Sequence, residues 1–215
     1  MLLDGPADAR TRLVLAHGAG APMDSPWMNR VAAGLASRGV GVARFEFPYM
    51  ARCREGGKRS APDREPVLRA AWCAAIEELG GAERLVIGGK SLGGRIASLV
   101  ADEVHARGLV CLGYPFHPPG RPERLRTAHL TGLATPALVV QGTRDPFGSP
   151  ADVGGYALSP NLRVVWIEDG DHDLRPRARS GRSAEQNLRE AVEAVAAFLA
   201  DLEGRVRSTS SAVRA

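Results

Sequence analysis

The residue of this sequence best placed to do chemistry is Ser91, in Gly88-Gly89-Lys90-Ser91-Leu92-Gly93-Gly94. The apolar run Arg84–Gly89 before it reads as a strand, and Leu92 to about His105 after it reads as a helix. A serine on so sharp a strand-to-helix turn is held in a strained conformation with its hydroxyl exposed. Residues two before and two after crowd against it, and here both are glycine, Gly89 and Gly93. Gly94 lets the new helix approach the sheet, and the helix N-terminus adds a positive field that favours a developing anion. The run Gly-Lys-Ser is not a phosphate-binding loop of the G-x-x-x-x-G-K-[ST] type, because the earlier glycine is missing.

A serine hydroxyl needs a base, and the base needs a carboxylate to fix its tautomer. Two later strand ends offer them: Asp145 in Gln141-Gly-Thr-Arg-Asp-Pro-Phe-Gly and His172 in Asp169-Gly-Asp-His-Asp-Leu. The chain order Ser91, Asp145, His172 is one that a strand-to-helix nucleophile turn uses. The other histidines compete less well: His105 lies at a helix end, and His117 and His129 lie in a Pro- and Arg-rich connection. Asp171 and Asp173 flank His172 and read as holding its loop through bonds to backbone. Lys90, next to the nucleophile but pointing away from it, reads as a loop-anchoring charge. Acyl transfer also needs donors for an oxyanion. The backbone N–H of Leu92 is one, and Ala19 in His17-Gly-Ala-Gly, after the first strand, is the other. This chemistry requires no metal and no organic cofactor.

The elements that must position these residues alternate along the chain. Strands are expected at 12–16, 40–47, 84–89, 108–113, 136–141 and 162–167, and helices at 26–38, 64–79 and 92–105. Residues 48–63 read as a polar loop. The last helix is capped by Ser183 with Gln186, repeats Leu188, Val192, Val195, Leu199 and Leu202, and is expected to stop at Gly204. The pattern implies an α/β fold with a doubly wound, mainly parallel sheet of about six strands. Near-continuous apolar strands fit a sheet covered on both faces, and sites in such sheets form at strand carboxyl ends.

Bulk properties bound the partners. The chain of 215 residues is 44% hydrophobic and 24% charged, which suits one domain, expected over 1–203, followed by a frayed basic tail at 204–215. No apolar run is long enough to span a membrane, and the N-terminus does not read as a secretory signal, so a cytoplasmic location is expected. The three cysteines, Cys53, Cys73 and Cys111, suggest neither a disulfide framework nor a zinc site. The net charge of +4 is spread along the chain without a nucleic-acid motif, so the expected partner is a small-molecule substrate, with no nucleic acid and no membrane.

The segments LAHGAG, FEFPYM, GGKSLGGR, LGYPFHPPG, QGTRDPFG and GDHDL, in this order, resemble a family of small α/β-hydrolase-like proteins. That family is distantly similar to dienelactone hydrolases and has relatives among domains of eukaryotic chromatin-associated proteins. The resemblance covers about residues 12–203 and implies the same three residues, Ser91, Asp145 and His172. It implies no substrate. Where dienelactone hydrolases carry a cysteine nucleophile, this sequence has Ser91. The short 114–135 connection leaves no room for a large lid, which points to a small ester or thioester reached through an open mouth. His17, Tyr114, Phe116 and His117 are expected to line the pocket. The loop 49–66 with Arg52, Arg54, Lys58, Arg59 and Arg64 reads first as solvated; with Arg144 it would otherwise make the mouth electropositive for an anion. Two alternatives stand beside the esterase: an amide or peptide hydrolase using the same triad, and a non-catalytic binding or scaffold module.

Overall fold

A computed structural model describes residues 1–9, 11–58 and 60–212, the last eight as backbone only. The apolar runs become seven strands of one sheet: β1 (Leu2–Asp4), β2 (Arg12–Ala16), β3 (Gly41–Phe45), β4 (Leu85–Lys90), β5 (Gly108–Leu112), β6 (Ala137–Gly142) and β7 (Leu162–Ile167). Their order is β1-β3-β2-β4-β5-β6-β7. β1 is antiparallel to β3, and every other neighbouring pair is parallel.

The continuous apolar runs have a direct cause: alternate side chains enter opposite cores. Leu13, Leu15, Val86, Val110, Leu112, Leu138 and Val140 meet α1 (Pro26–Ala36) and α6 (Ala184–Ala212) on one face. Val14, Ala16, Ile87, Leu109, Cys111 and Val139 meet α3 (Glu65–Glu78) and α4 (Leu92–Val100) on the other. Two further short helices among the described residues are α2 (Pro48–Arg54) and α5 (Pro150–Val153). The register that pairs Ala16 with Phe45 and with Gly89 brings the ends of β2, β3 and β4 level, so His17, Phe47 and Ser91 leave the sheet at one edge.

The structure departs from the sequence reading in four places. The seventh strand, β1, is only three residues long, and it is fastened by Arg44 of β3. That buried guanidinium lies 2.9 Å from the Asp4 carboxylate and 2.6 Å from Asn29 Oδ1. Residues 48–54, expected as loop, form α2, which starts on Pro48 at a position where its missing N–H costs nothing. α4 ends at Val100 rather than near His105: the Asp102 carboxylate turns to the backbone of Ala134 and Thr135, and His105 takes a φ of 53°. Gly204 does not stop α6, which runs on to Ala212. A glycine inside a helix keeps its N–H and costs only about 1 kcal/mol relative to alanine, and Gly204 does not take the left-handed conformation that ends a helix. The tail expected at 204–215 is therefore helical in backbone as far as 212, and 213–215 lie outside the described residues. The capping box of Ser183 and Gln186 is present in both directions, at 3.1 and 2.7 Å.

Candidate active site

Ser91 caps α4 with φ 49° and ψ −110°, a conformation disfavoured for any residue with a Cβ. Packing enforces it. The Ser91 N–H donates to Leu112 O of β5 at 3.0 Å. A Cβ on Gly89 or Gly93 would lie 2.2 or 2.3 Å from Ala16 O, so only glycine fits on either side of the serine. The turn thus holds the Ser91 hydroxyl at the sheet's carboxyl edge.

His172 and Asp145 arrive from the ends of β7 and β6. His172 Nε2 lies 2.9 Å from Ser91 Oγ, and Nδ1 lies 2.8 Å from Asp145 Oδ2. A carboxylate accepts only, so Nδ1 carries the proton and Nε2 is free to accept from the serine. Asp145 is sealed from solvent at 1% exposure. Its Oδ1 accepts the Phe147 N–H at 2.9 Å, and its Oδ2 also accepts from Gln141 Nε2 at 2.9 Å. Gln141, fully buried, also accepts the Tyr114 N–H at 2.7 Å and so clamps the β5 and β6 ends together. Sequence reasoning passed over Gln141; a polar residue closing an otherwise apolar strand was the signal. Phe147 packs on the His172 ring with centroids 4.3 Å apart.

The loop carrying His172 is held from both sides. Asp171 Oδ1 accepts the N–H groups of Asp173 and Arg175 at 2.9 and 2.8 Å, as expected for a loop-fixing aspartate. Asp173 acts differently: its carboxylate lies 3.3 Å from Lys90 Nζ, and its carbonyl accepts from Trp27 Nε1 at 3.0 Å. Lys90 is only 7% exposed, and it donates to His172 O at 2.7 Å. Burial pushes its pKa down, while Asp173 and Asp145 oppose that shift. The lysine ties the serine turn to the histidine loop, which is the anchoring role expected of it.

The loop after β2 is fixed from beneath. His17 Nε2 accepts the Phe47 N–H at 3.1 Å, which leaves the proton on Nδ1 to donate to Gly18 O at 2.7 Å. The Tyr49 hydroxyl, on α2, lies 3.3 Å from Gly18 O and 3.2 Å from Ala19 O, one proton serving both acceptors. No peptide bond among the described residues is cis, so the Ala19 N–H points away from the Gly18 carbonyl, and Gly18, Ala19 and Gly20 line the cavity above Ser91. Leu92, as the first residue of α4, has an N–H with no place in the helix's own ladder.

That cavity has a volume of about 540 Å³. Its walls include Trp27, Met28, Lys90, Phe147, His172, Asp173 and Arg175. Four residues expected to line it do not. His17, Tyr114 and Phe116 are fully buried and His117 is 4% exposed. His17 underpins the loop, Tyr114 and Phe116 pack in the core, and His117 donates through Nδ1 to Pro118 O. They follow strand ends but point under the sheet edge rather than over it. The basic loop is also elsewhere: Arg52 pairs with Asp63, Arg54 with Asp24 and Glu46, and Arg144 with Asp169, and none of them lines the cavity. Arg59 lies outside the described residues. The link from β5 to β6 holds only a one-turn 3-10 helix, Ala128–Leu130, so it raises no helical lid over Ser91. No helix among the described residues is long and apolar enough to cross a membrane.

Residues 9–200 match the family model described as an alpha/beta hydrolase domain. Among solved structures, the chain is similar to Est1E of Butyrivibrio proteoclasticus, solved with ferulic acid bound (TM-score 0.70, 16% identity, 94% of each chain covered). It is also similar to an α/β serine hydrolase homologue of Coxiella burnetii (TM-score 0.66, 19% identity, 91% of this chain and 88% of that one). A third likeness is to a serine hydrolase of Xanthomonas campestris described as lacking a lid (TM-score 0.62, 20% identity, 89% and 84% covered).

Proposed function

The chain belongs to the alpha/beta hydrolase domain family, and from that premise we propose that it is a serine hydrolase cleaving a small carboxylic ester or thioester through an acyl-enzyme. The observation that carries this reading is the line of contacts Ser91 Oγ, His172 Nε2, His172 Nδ1 and Asp145 Oδ2, at 2.9 and 2.8 Å, opening on a cavity. Ser91 Oγ attacks the carbonyl carbon as His172 takes its proton. The imidazolium stays bonded to the Asp145 carboxylate. The Ala19 and Leu92 N–H groups receive the oxyanion, each such donor being worth about 3 kcal/mol of barrier. The intermediate collapses as His172 returns the proton to the leaving alcohol or thiol. Water, activated by the same His172, then adds to the acyl carbon, and the acid leaves as Ser91 regains its proton. The open mouth favours short acyl groups over long chains that need a tunnel.

The test is hydrolysis of p-nitrophenyl acetate by the wild type, Ser91→Ala and His172→Ala. The expected result is turnover by the wild type that falls to the uncatalysed background in each variant, a loss of up to about a million-fold. Equal rates in all three proteins would leave a non-catalytic module as the better reading.

A further inference from the structure

A second hollow borders the cavity over Ser91. Pro26, Trp27, Asp173 and Arg175 line both, and the second, of about 80 Å³, is also lined by Arg30, Ala184 and Leu188, with the two arginines exposed at its rim. Three charged side chains face this hollow: Arg30, Asp173 and Arg175. Asp173 is already engaged, 3.3 Å from Lys90 Nζ. Among the described residues, neither guanidinium has a carboxylate within ion-pair distance. Glu185 shares a neighbouring surface groove with Arg30 without pairing to it. The backbone of Arg175 is fixed: its N–H donates to Asp171 Oδ1 at 2.8 Å, and its carbonyl accepts from Asp171 N and Arg144 Nη2 at 3.0 and 3.4 Å. The side chain is therefore an unpaired cation on an anchored root, beside the loop that carries His172.

We propose that Arg30 and Arg175 form an anion subsite, and that the substrate is an ester whose far end carries a carboxylate or phosphate. This rests on the serine-hydrolase reading and names its substrate class. Two guanidinium groups in one hollow match the planar, multi-donor recognition of such oxyanions. With Asp173 held by Lys90, the two arginines leave the hollow net positive, and the apolar walls of Trp27 and Leu188 focus that field. Pro26 and Trp27 line both the hollow and the cavity over Ser91, so the spacer of the proposed substrate would lie along them, as a short hydrocarbon.

The experiment uses Ser91→Ala, which binds without turnover, titrated by calorimetry. The ligands are monomethyl succinate, glutarate and adipate, 2-acetoxyethyl phosphate, and the neutral dimethyl esters as controls. At least one anion should bind tenfold or more tightly than its neutral counterpart, and that advantage should disappear in Ser91→Ala/Arg30→Gln/Arg175→Gln and shrink with added salt. The carboxylate or the phosphate arm, whichever binds more tightly, identifies the head group. Equal affinity for anion and diester, no detectable anion binding, or an advantage that survives the triple variant overturns the subsite. Wild-type turnover of p-nitrophenyl acetate is measured in parallel. Turnover without an anion preference removes the subsite and leaves the hydrolase; anion binding without Ser91-dependent turnover does the reverse.

Discussion

At the scale of single residues, Lys90 carries more than its place in the sequence suggests. It is a buried cation whose amino group holds the carbonyl of His172 and the carboxylate of Asp173, so it sets where the imidazole stands relative to Ser91. A charged hydrogen bond of this kind is worth about 1.5–3 kcal/mol. Lys90→Met is expected to lower kcat for p-nitrophenyl acetate roughly tenfold to a hundredfold while changing KM for this neutral ester little, because methionine keeps the apolar stem that lines the cavity. An unchanged kcat, or a loss confined to KM, would show that the lysine does not position the histidine. That Ser91, Asp145 and His172 come together was legible in the sequence because a serine, an aspartate and a histidine each sit at a different strand end in a set order. Gln141 and the true cavity wall were not, because they depend on which side of the sheet edge a side chain points to. That direction put Trp27 and Arg175 over the site and turned Tyr114, Phe116 and His117 under it.

At the scale of elements, α2 is the one whose misreading matters most. Its sequence, Pro48-Tyr-Met-Ala-Arg-Cys-Arg, is short and runs straight into Gly, Lys, Ser and Pro, so by composition the whole stretch reads as a polar loop. Pro48 after the extended Phe47 was the available start signal. The helix brings the Tyr49 hydroxyl under the carbonyls of Gly18 and Ala19 and so orients the proposed oxyanion donor. Tyr49→Phe removes a hydrogen bond worth about 1 kcal/mol, and kcat for a short ester is expected to fall severalfold, with KM steady and the melting temperature within a few degrees of wild type. Identical kcat values in the two proteins would detach α2 from catalysis. The strands were easier to read than the helix ends, since a strand covered on both faces declares itself by composition, whereas α4 and α6 end where capping and tertiary contacts decide.

At the scale of the whole molecule, a buried histidine and a half-buried one tie stability to pH. Burial is the main cause that lowers the pKa of both His17 and His129 from the ordinary 6.5. For His17 the geometry agrees, because Nε2 must stay unprotonated to accept the Phe47 N–H. A group depressed in the folded state favours folding while it is neutral in both states, above pH 6.5, and that contribution is lost as pH falls below 6.5 through the folded value. The urea midpoint is expected to drop between about pH 7.5 and about pH 5.5, a window above the carboxylate range, and the drop should be smaller in His17→Gln. A pH-independent midpoint, or the same drop in the variant, would contradict this. The doubly wound architecture was legible from six apolar runs spaced by helices; the edge strand β1 was not, because three residues carry too little periodicity and its hold depends on Arg44 reaching Asp4 across the sheet.

The most direct measurement of the proposal that Ser91 is an activated nucleophile is covalent labelling. The intact protein is treated with a fluorophosphonate, digested, and read by mass spectrometry. Each chain should take up one phosphonyl group, on the peptide that contains Ser91, and neither Ser91→Ala nor heat-unfolded protein should react. No uptake by the folded wild type, or equal uptake by Ser91→Ala, would contradict it.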